Sequence, residues 1–327
     1  MNASTTTSMD PVVSIIVVSY NTREMTLECL ESIRAETTTV SFEVLFVDNQ
    51  SSDGSLDAVR ERFGDDPRYL IKDNDSNLGF AVANNHLAEQ ASGRYLLLLN
   101  PDTVVLDHAI DRIVAFAESH PRNGIWGGRT LFEDGSLNPT NCFGPYTLWA
   151  LFCASIGLTW LFPGSPLFNP RAYPGWDRTG IREVGMVTGC LLLMENSLWK
   201  ELQGFDPEFF MYAEEADLCA RAIDAGRQPI ISGEPTIIHH GGASEKTRAG
   251  KQIKLLDGNI RYFRRHWSRP AYHIGLVLID ISILIRALSE SLRRRPTADR
   301  VWSVIWSERA TWRRSIRGGS EPKASSR

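Results

Sequence analysis

Between Phe209 and His240 the chain places three closely spaced carboxylates and, about two dozen residues on, two adjacent histidines. Glu214, Glu215 and Asp217 follow the apolar residues Phe209, Phe210 and Tyr212, and His239 and His240 end a second apolar run at residues 236–238. Acids delivered at the edge of a buried element suit proton abstraction or metal binding, and clustered, perturbed carboxylates gather at functional sites. The same acids also suit a helix start, where the dipole favours negative charge, and Asp217 precedes Arg221 at the spacing of a helix-surface ion pair. Asp102 is a further candidate, carried behind the hydrophobic run 95–99 with Asn100 before it and Thr103 after it. One such carboxylate suffices for Mg²⁺, which keeps several waters and takes one or two protein carboxylates plus substrate phosphate oxygens. His239 or His240 would add a nitrogen ligand acceptable to Mn²⁺.

The elements that must position these groups follow from periodicity. Strand-like runs at 12–19, 42–47, 69–72 and 95–99 alternate with helical patterns at 24–34, 55–63, 80–91 and 108–118. Near-continuous β-branched and Leu runs, each followed by a helix, predict parallel strands covered on both faces. Ligands of such sheets gather at the carboxyl ends of the strands. There the chain places Ser19-Tyr20-Asn21, then Asp48 to Gly54, then Asn77-Leu78-Gly79-Phe80, then Asn100 to Thr103. Capping and turn relief explain any one of these loops; four polar loops on one rim predict a ligand site. No Gly-x-Gly-x-x-Gly follows the first strand, which disfavours a dinucleotide dehydrogenase.

With 327 residues, 43% hydrophobic and 23% charged, the composition is that of a soluble globular protein with a sizeable core. The five cysteines, Cys29, Cys142, Cys153, Cys190 and Cys219, form no Cys-x-x-Cys pair, which argues against a disulfide framework or zinc knuckle and for a reducing, cytosolic compartment. Residues 1–11 lack the basic start of a signal peptide and read as a short disordered tail. The net charge of −4 conceals an asymmetry, because residues 251–327 hold 17 Lys/Arg against 6 Asp/Glu while the rest holds 18 against 33. No nucleic-acid recognition motif accompanies the basic tail. Residues 143–168 contain no charged residue and include Trp149, Phe152, Trp160 and Phe162. A membrane span there would separate Asp102 from Glu215, so a surface-lying or lid-like segment is expected instead. Residues 274–285 form a 12-residue apolar stretch, interrupted by Asp280, that is too short for a span. Its flanks, Arg261, Arg264, Arg265 and Arg269 before it and Arg286 and Arg293 to Arg295 after it, suit an anionic membrane surface.

Seven motifs in order, Val13 to Asn21, Val47-Asp48-Asn49, Ser51 to Ser55, Asn77 to Phe80, Leu99 to Thr103, Gly204-Phe205-Asp206 and Glu214 to Arg221 with His239, resemble the family 2 glycosyltransferases, specifically their rhamnosyltransferase-type branch, over residues 12–244. The resemblance implies an α/β GT-A fold, a Rossmann-like nucleotide-binding sheet merged with a smaller acceptor-binding part, followed by carboxy-terminal amphipathic helices. It divides the chain into a tail (1–11), a transferase domain (12–250, with a nucleotide-sugar half at 12–120 and an acceptor half at 121–250) and a basic helical region (251–327). It implies inverting, metal-dependent transfer from a nucleotide sugar without a covalent intermediate. Ser19, Tyr20, Asn21, Asp48, Asn77, Gly79, Phe80, Asn84 and Asn100 would line the nucleotide-sugar pocket, Asp102 and His239 would hold Mg²⁺ or Mn²⁺, and Gly189 and Cys190 would flank the acceptor. Asn100 replaces the first aspartate of the family's Asp-x-Asp element. Glu214-Glu215 replaces the family's Glu-Asp, so that Glu215 occupies the position of the general base, with Glu214 as the alternative and Asp217 beside them.

The expected protein is therefore a cytoplasmic glycosyltransferase on the inner face of the cell membrane, acting on a lipid-linked or polysaccharide acceptor in cell-envelope synthesis. L-rhamnose from dTDP-rhamnose is the expected donor sugar, with galactofuranosyl or another hexosyl transfer from a UDP-sugar as alternative. A processive synthase is disfavoured, since Arg264 to Trp267 only superficially resembles the Gln-x-x-Arg-Trp element. From other classes, a nucleotidyltransferase lacks its Gly-rich, basic triphosphate loop, and an inactive nucleotide-sugar-binding module would be indifferent to changes at Glu214 or Glu215.

Overall fold

The apolar run 13–19 becomes strand β1 (Val13–Ser19), buried throughout, and pairs in parallel with β2 (Phe42–Asp48) from Val13 opposite Phe42 to Ser19 opposite Asp48. Strands β3 (Tyr69–Asp73) and β4 (Tyr95–Leu99) extend the parallel set on either side. Helices α1 (Arg23–Glu36), α2 (Ser55–Phe63) and α3 (Gly79–Ala88) connect them. These are the elements expected from periodicity, because β1, β2 and β4 are buried on both faces almost throughout, β3 is a more exposed edge strand, and each helix buries one stripe. The computed structural model describes residues 10–241, 247–293, 300–310 and 312–313. The expected tail, except Asp10 and Pro11, lies outside the described residues, as do Ala243, Ser244, Arg294 and Arg295.

Beyond β4 come β5 (Thr103–Val105), α4 (Ala109–Ser119), β6 (Ile125–Leu131), β7 (Cys142–Phe143), α5 (Leu148–Ser155), α6 (Leu158–Leu161), β8 (Ile181–Glu183) and β9 (Met186–Val187). They are followed by β10 (Leu191–Glu195), α7 (Asn196–Glu201), α8 (Glu214–Asp224), β11 (Ile230–His239), α9 (Arg248–His266), α10 (Arg269–Leu292) and α11 (Val301–Ser307). The main sheet runs β3-β2-β1-β4-β10-β6-β11-β5, with β8 on β11. Strand β10 enters antiparallel between β4 and β6, so both halves of the chain share one sheet. One face is covered by α1, α2 and α4 through Leu30, Ile33, Val59, Phe63, Ile113 and Phe116; the other carries Leu218, Ile260, Phe263, Ile279 and Ile283 of α8, α9 and α10. The carboxy-terminal helices thus belong to the main core.

Thr188, Gly189 and Cys190 turn between β9 and β10. Two sequence expectations are corrected. The 12-residue stretch at 274–285 lies inside a 24-residue helix, α10, whose mean hydropathy of 1.8 over its best window makes it long and apolar enough to cross a membrane. Flanking residues such as Ala287 and Leu288 continue the apolar pattern beyond the charge at Arg286. The basic residues preceding α10 are largely engaged internally: Arg261 pairs with Asp257, Arg264 with Glu208, and Arg265 with Asp206 and Asp217. Helices α9 and α10 meet in a tight joint, where Trp267 stacks on Phe263 with ring centroids 4.0 Å apart and a Cβ at Gly275 would lie 2.8 Å from the Trp267 ring.

Candidate active site

The carboxyl ends of β1, β2 and β3 form one edge of a cleft. Asn49, 3% exposed at the end of β2, organises it: its amide donates to Asn77 Oδ1 and to the Gly79 carbonyl, while its Oδ1 accepts from the Leu78 N–H and from Asn74. Asn21, at φ 53°, accepts the Ser52 N–H at 2.8 Å and ties the β1 loop to the β2 loop. A cavity of about 520 Å³ opens here, lined by Asp48, Ser51, Gly54, Asp73 and Asn74. Asp48 Oδ2 accepts the Ser51 N–H at 2.7 Å, whereas Oδ1 is buried without a partner among the described residues. Burial raises the Asp48 pKa despite the Ser51 hydrogen bond. The Ser19 hydroxyl is bonded to Thr22 and Thr26, leaving only its backbone for a ligand, while Tyr20 is half-buried at the rim. Asn84 is a correction: it is 1% exposed inside α3 and donates to the Phe80 carbonyl, holding the loop rather than facing the cleft.

That loop is fastened to the acidic segment. The Phe80 N–H donates to the Phe210 carbonyl at 2.9 Å, and a Cβ at Gly79 would lie 2.4 Å from that same oxygen. Only glycine, here at φ +78°, allows the approach. The carbonyl of Phe210 and the side chain of Asn49 carry no chemical signature in the sequence; their partners lie far away along the chain.

The antiparallel pairing of β5 with β11 sets His239 opposite Thr103, next to Asp102. His239 Nε2 lies 3.4 Å from Asp102 Oδ1 and 3.5 Å from the Asn100 amide, and Asp102 Oδ2 accepts the Gly241 N–H at 3.1 Å. Burial would raise the Asp102 carboxyl, but His239 outweighs it and the pKa is lowered. Burial would likewise push the His239 imidazole down, yet Cys190 and Asp102 hold it up at about 10. Its Nδ1 is buried without a hydrogen-bond partner among the described residues. His240 turns away between Glu133 and Glu28. Among the described residues no three His, Cys, Asp or Glu side chains are grouped as a metal cage.

Helix α8 starts from two consecutive left-handed residues, Tyr212 at φ 72° and Ala213 at φ 70°. The backbone pair is pinned by α9, where a Cβ at Gly258 would sit 2.2 Å from the Tyr212 carbonyl. From this turn Glu214 points inward, 2% exposed, with Oε2 unpartnered among the described residues. Burial pushes its pKa well up, and the neighbouring Glu215 adds to the shift. Glu215 is half-buried and accepts the Gly189 N–H at 3.1 Å; burial raises its pKa against that hydrogen bond. Gly189 also faces the Phe80 ring, 3.1 Å from its potential Cβ, and Cys190 lies against His239. Gly189 and Cys190 therefore join the glutamates to the Asp102–His239 pair. Asp217 is corrected from the candidate catalytic acids: it is fully buried, 2.8 Å from both Arg221 Nε and His266 Nε2 and 3.0 Å from Arg265 Nε. The hydrogen bond from His266 and the charges of Arg221 and Arg265 overcome the effect of burial and lower its pKa.

The fold and this rim define a GT-A-type α/β architecture. The chain's structure aligns with the mannosyltransferase PcManGT from Pyrobaculum calidifontis, solved in complex with GDP-Man and Mn²⁺, at a TM-score of 0.55 and 14% identity, covering 95% of this chain and 85% of that one. Residues 14–161 match the family model described as glycosyl transferase family 2. The chain is 28% identical over 294 residues to the O-antigen biosynthesis protein RfbC of Myxococcus xanthus, covering 88% of this chain but 21% of that protein. It is 27% identical over 243 residues to the N-acetylglucosaminyl-diphospho-decaprenol L-rhamnosyltransferase of Mycobacterium tuberculosis, covering 71% of this chain and 77% of that one. Residues 14–161 thus resemble the family 2 glycosyltransferases, within a chain of GT-A-like fold.

Proposed function

We propose that this protein is an inverting, metal-dependent transferase that moves L-rhamnose from dTDP-rhamnose to a lipid-linked acceptor in cell-envelope synthesis. In this reading residues 12–120 hold the nucleotide sugar, 121–250 the acceptor, and 251–327 meet the membrane. The carrying observation is the position of Glu215, a half-buried carboxylate fixed on the Gly189 N–H and joined through Gly189 and Cys190 to Asp102 and His239. Glu215 accepts the proton of the acceptor hydroxyl as its oxygen attacks the anomeric carbon opposite the departing diphosphate, and one displacement inverts that carbon. Asp48 Oδ1 offers an acceptor to a ring N–H of the nucleobase, while the Asn77 to Phe80 loop closes beside the sugar. Holding donor and acceptor in this geometry makes attack effectively unimolecular.

The donor set fits a hard divalent cation: an ionised carboxylate and, 3.4 Å from it, the Nε2 of an imidazole that would ligate once the cation displaces its proton. Asp102 and His239 would hold Mg²⁺ or Mn²⁺ with the diphosphate, and its chemistry there is neutralisation of the leaving group's charge. The printed name of the mycobacterial relative supports rhamnose and a diphospholipid acceptor; hexosyl or galactofuranosyl transfer from a UDP-sugar is the alternative.

In this reading the protein attaches peripherally to the cytoplasmic face of the membrane, and the apolar surface of α10 supports the attachment. Its residues Ile274, Val277, Ile281, Leu284, Ile285, Leu288 and Leu292 are all exposed and repeat at three- and four-residue steps, while Ile279, Ile283 and Ala287 are buried on the opposite side. Trp149, Phe152, Trp160 and Leu161 of α5 and α6 are exposed as well. Asp280 pairs with Arg313 at 3.1 Å, an ion pair suited to the interface rather than the hydrocarbon core.

Nucleotide diphosphate release from thymidine, uridine and guanosine sugars, with bacterial membrane lipid extract as acceptor and with Mg²⁺, Mn²⁺ or EDTA, tests the reading. Release only from dTDP-rhamnose, abolished by EDTA, is expected. EDTA-resistant release would remove the metal; release from a UDP-sugar would select the alternative donor. Pyrophosphate formed from a nucleoside triphosphate and a sugar phosphate would instead identify a nucleotidyltransferase.

A further inference from the structure

Asn85, in the second turn of α3, makes a paired contact 120 residues along the chain. Its amide donates to the Phe205 carbonyl at 2.8 Å, and its Oδ1 accepts the Phe205 N–H at 2.9 Å. One side chain thus satisfies both backbone groups of a fully buried residue, as a neighbouring strand would.

The loop that Asn85 grips is strained. Gln203 and Gly204 are both left-handed, at φ 60° and 64°, and a Cβ at Gly204 would sit 2.6 Å from Asn85 Oδ1. From the other side Arg221 of α8 donates to the carbonyls of Leu202 and Gly204. Residues 202–205 are therefore clamped between α3, which opens at Gly79 and Phe80, and α8, which opens at Glu214 and Glu215.

Phe205 carries the clamp to the cleft. Its ring packs against those of Trp199 and Phe80, with centroids 5.1 and 5.9 Å away. Phe80 Cζ and Glu215 Oε1 lie 3.1 and 3.3 Å from the point where a Gly189 Cβ would stand, so ring tip and carboxylate crowd one face of Gly189. The Gly189 N–H holds that same oxygen at 3.1 Å. The hydrogen bond fixes Glu215 along one direction, and the half-buried Phe80 ring is the wall beside it. A shift of Phe205 would move that wall, and a misplacement of about 1 Å at a reacting group costs on the order of 10²-fold in rate.

We infer that Asn85 is a positioning residue for the base, acting through Phe205 and Phe80 on the carboxylate of Glu215. This rests on the proposed reading of Glu215 and adds the brace that aims it. The test is the initial rate of the full-length protein with the nucleotide sugar it turns over and bacterial membrane lipid extract. For Asn85→Ala kcat falls about 10- to 100-fold, while the donor KM and the nucleoside diphosphate affinity, read by titration, stay unchanged. Asn85→Asp keeps the acceptor for the Phe205 N–H and loses the donor; it lies between, and carries the test if the alanine variant fails to fold. In a double-mutant cycle with Phe80→Leu the two losses in kcat are less than additive, because both act through one contact. Asn123→Ala removes a comparable clasp, on the Gln228 carbonyl at 2.8 Å, beside the amino end of β6 and away from the cleft; it lowers the melting temperature and leaves kcat native. An Asn85→Ala protein that behaves like Asn123→Ala, full additivity with Phe80→Leu, or a loss confined to the donor KM overturns the inference alone. Full activity of Glu215→Gln, or absence of transfer from every donor, overturns the reading on which it rests and the inference with it.

Discussion

Glu214 and Glu215 are neighbours in sequence with opposite surroundings. Glu215 reaches the cleft on the Gly189 N–H, while Glu214 is enclosed with an unpartnered oxygen and favours its neutral form. Glu215→Gln should therefore lower kcat by about 10²- to 10⁴-fold, the worth of a positioned base, with nucleotide affinity retained in a binding titration. Glu214→Gln should keep most activity. Because Glu215 must be ionised and its pKa is raised, kcat/KM should rise with pH through a value above the ordinary glutamate range of about 4.3. Stability carries a related sign. A carboxyl whose folded pKa is raised contributes fully below its unfolded pKa and loses that contribution as pH rises toward the folded value. The native protein's melting temperature should thus fall more steeply above the ordinary glutamate range than that of Glu214→Gln, measured across a pH series.

At the scale of elements, the alternation of apolar runs and helices was legible down to single residues: 55–63 and 95–99 are realised as α2 and β4 with the expected bounds. Doubly buried strands announce themselves through unbroken β-branched and Leu runs. The break at Thr188 to Cys190 was not legible, because an apolar turn residue looks like an apolar strand residue. The enclosure of Asp217 was equally hidden, since Arg221 stands four residues away but Arg265 and His266 come from α9, 48 and 49 residues on. The candidate site itself was largely readable from the rim motifs, whereas the roles of Asn49, Phe210 and Gly258 depend on contacts between distant segments. Asp217→Asn should leave Arg221 and Arg265 without their buried counter-charge and destabilise the fold by about 3–5 kcal/mol, read from urea unfolding.

For the whole molecule, one sheet spans both halves and one apolar face runs along α10 beside α5. Replacing Val277 and Leu288 together by aspartate should abolish co-sedimentation with anionic lipid vesicles, while nucleotide binding, measured in solution, stays unchanged. The tight packing of Gly258 on the Tyr212 carbonyl gives that face a further meaning. Helix α9 has no slack against the turn that aims Glu214 and Glu215, and through the Phe263–Trp267–Gly275 joint it has little against α10. In the proposed function, the apolar face of α10 and the turn that carries Glu215 are thus joined through α9 by two close packings, and a bilayer under that face would be the fulcrum on which the carboxylate is levelled at its acceptor.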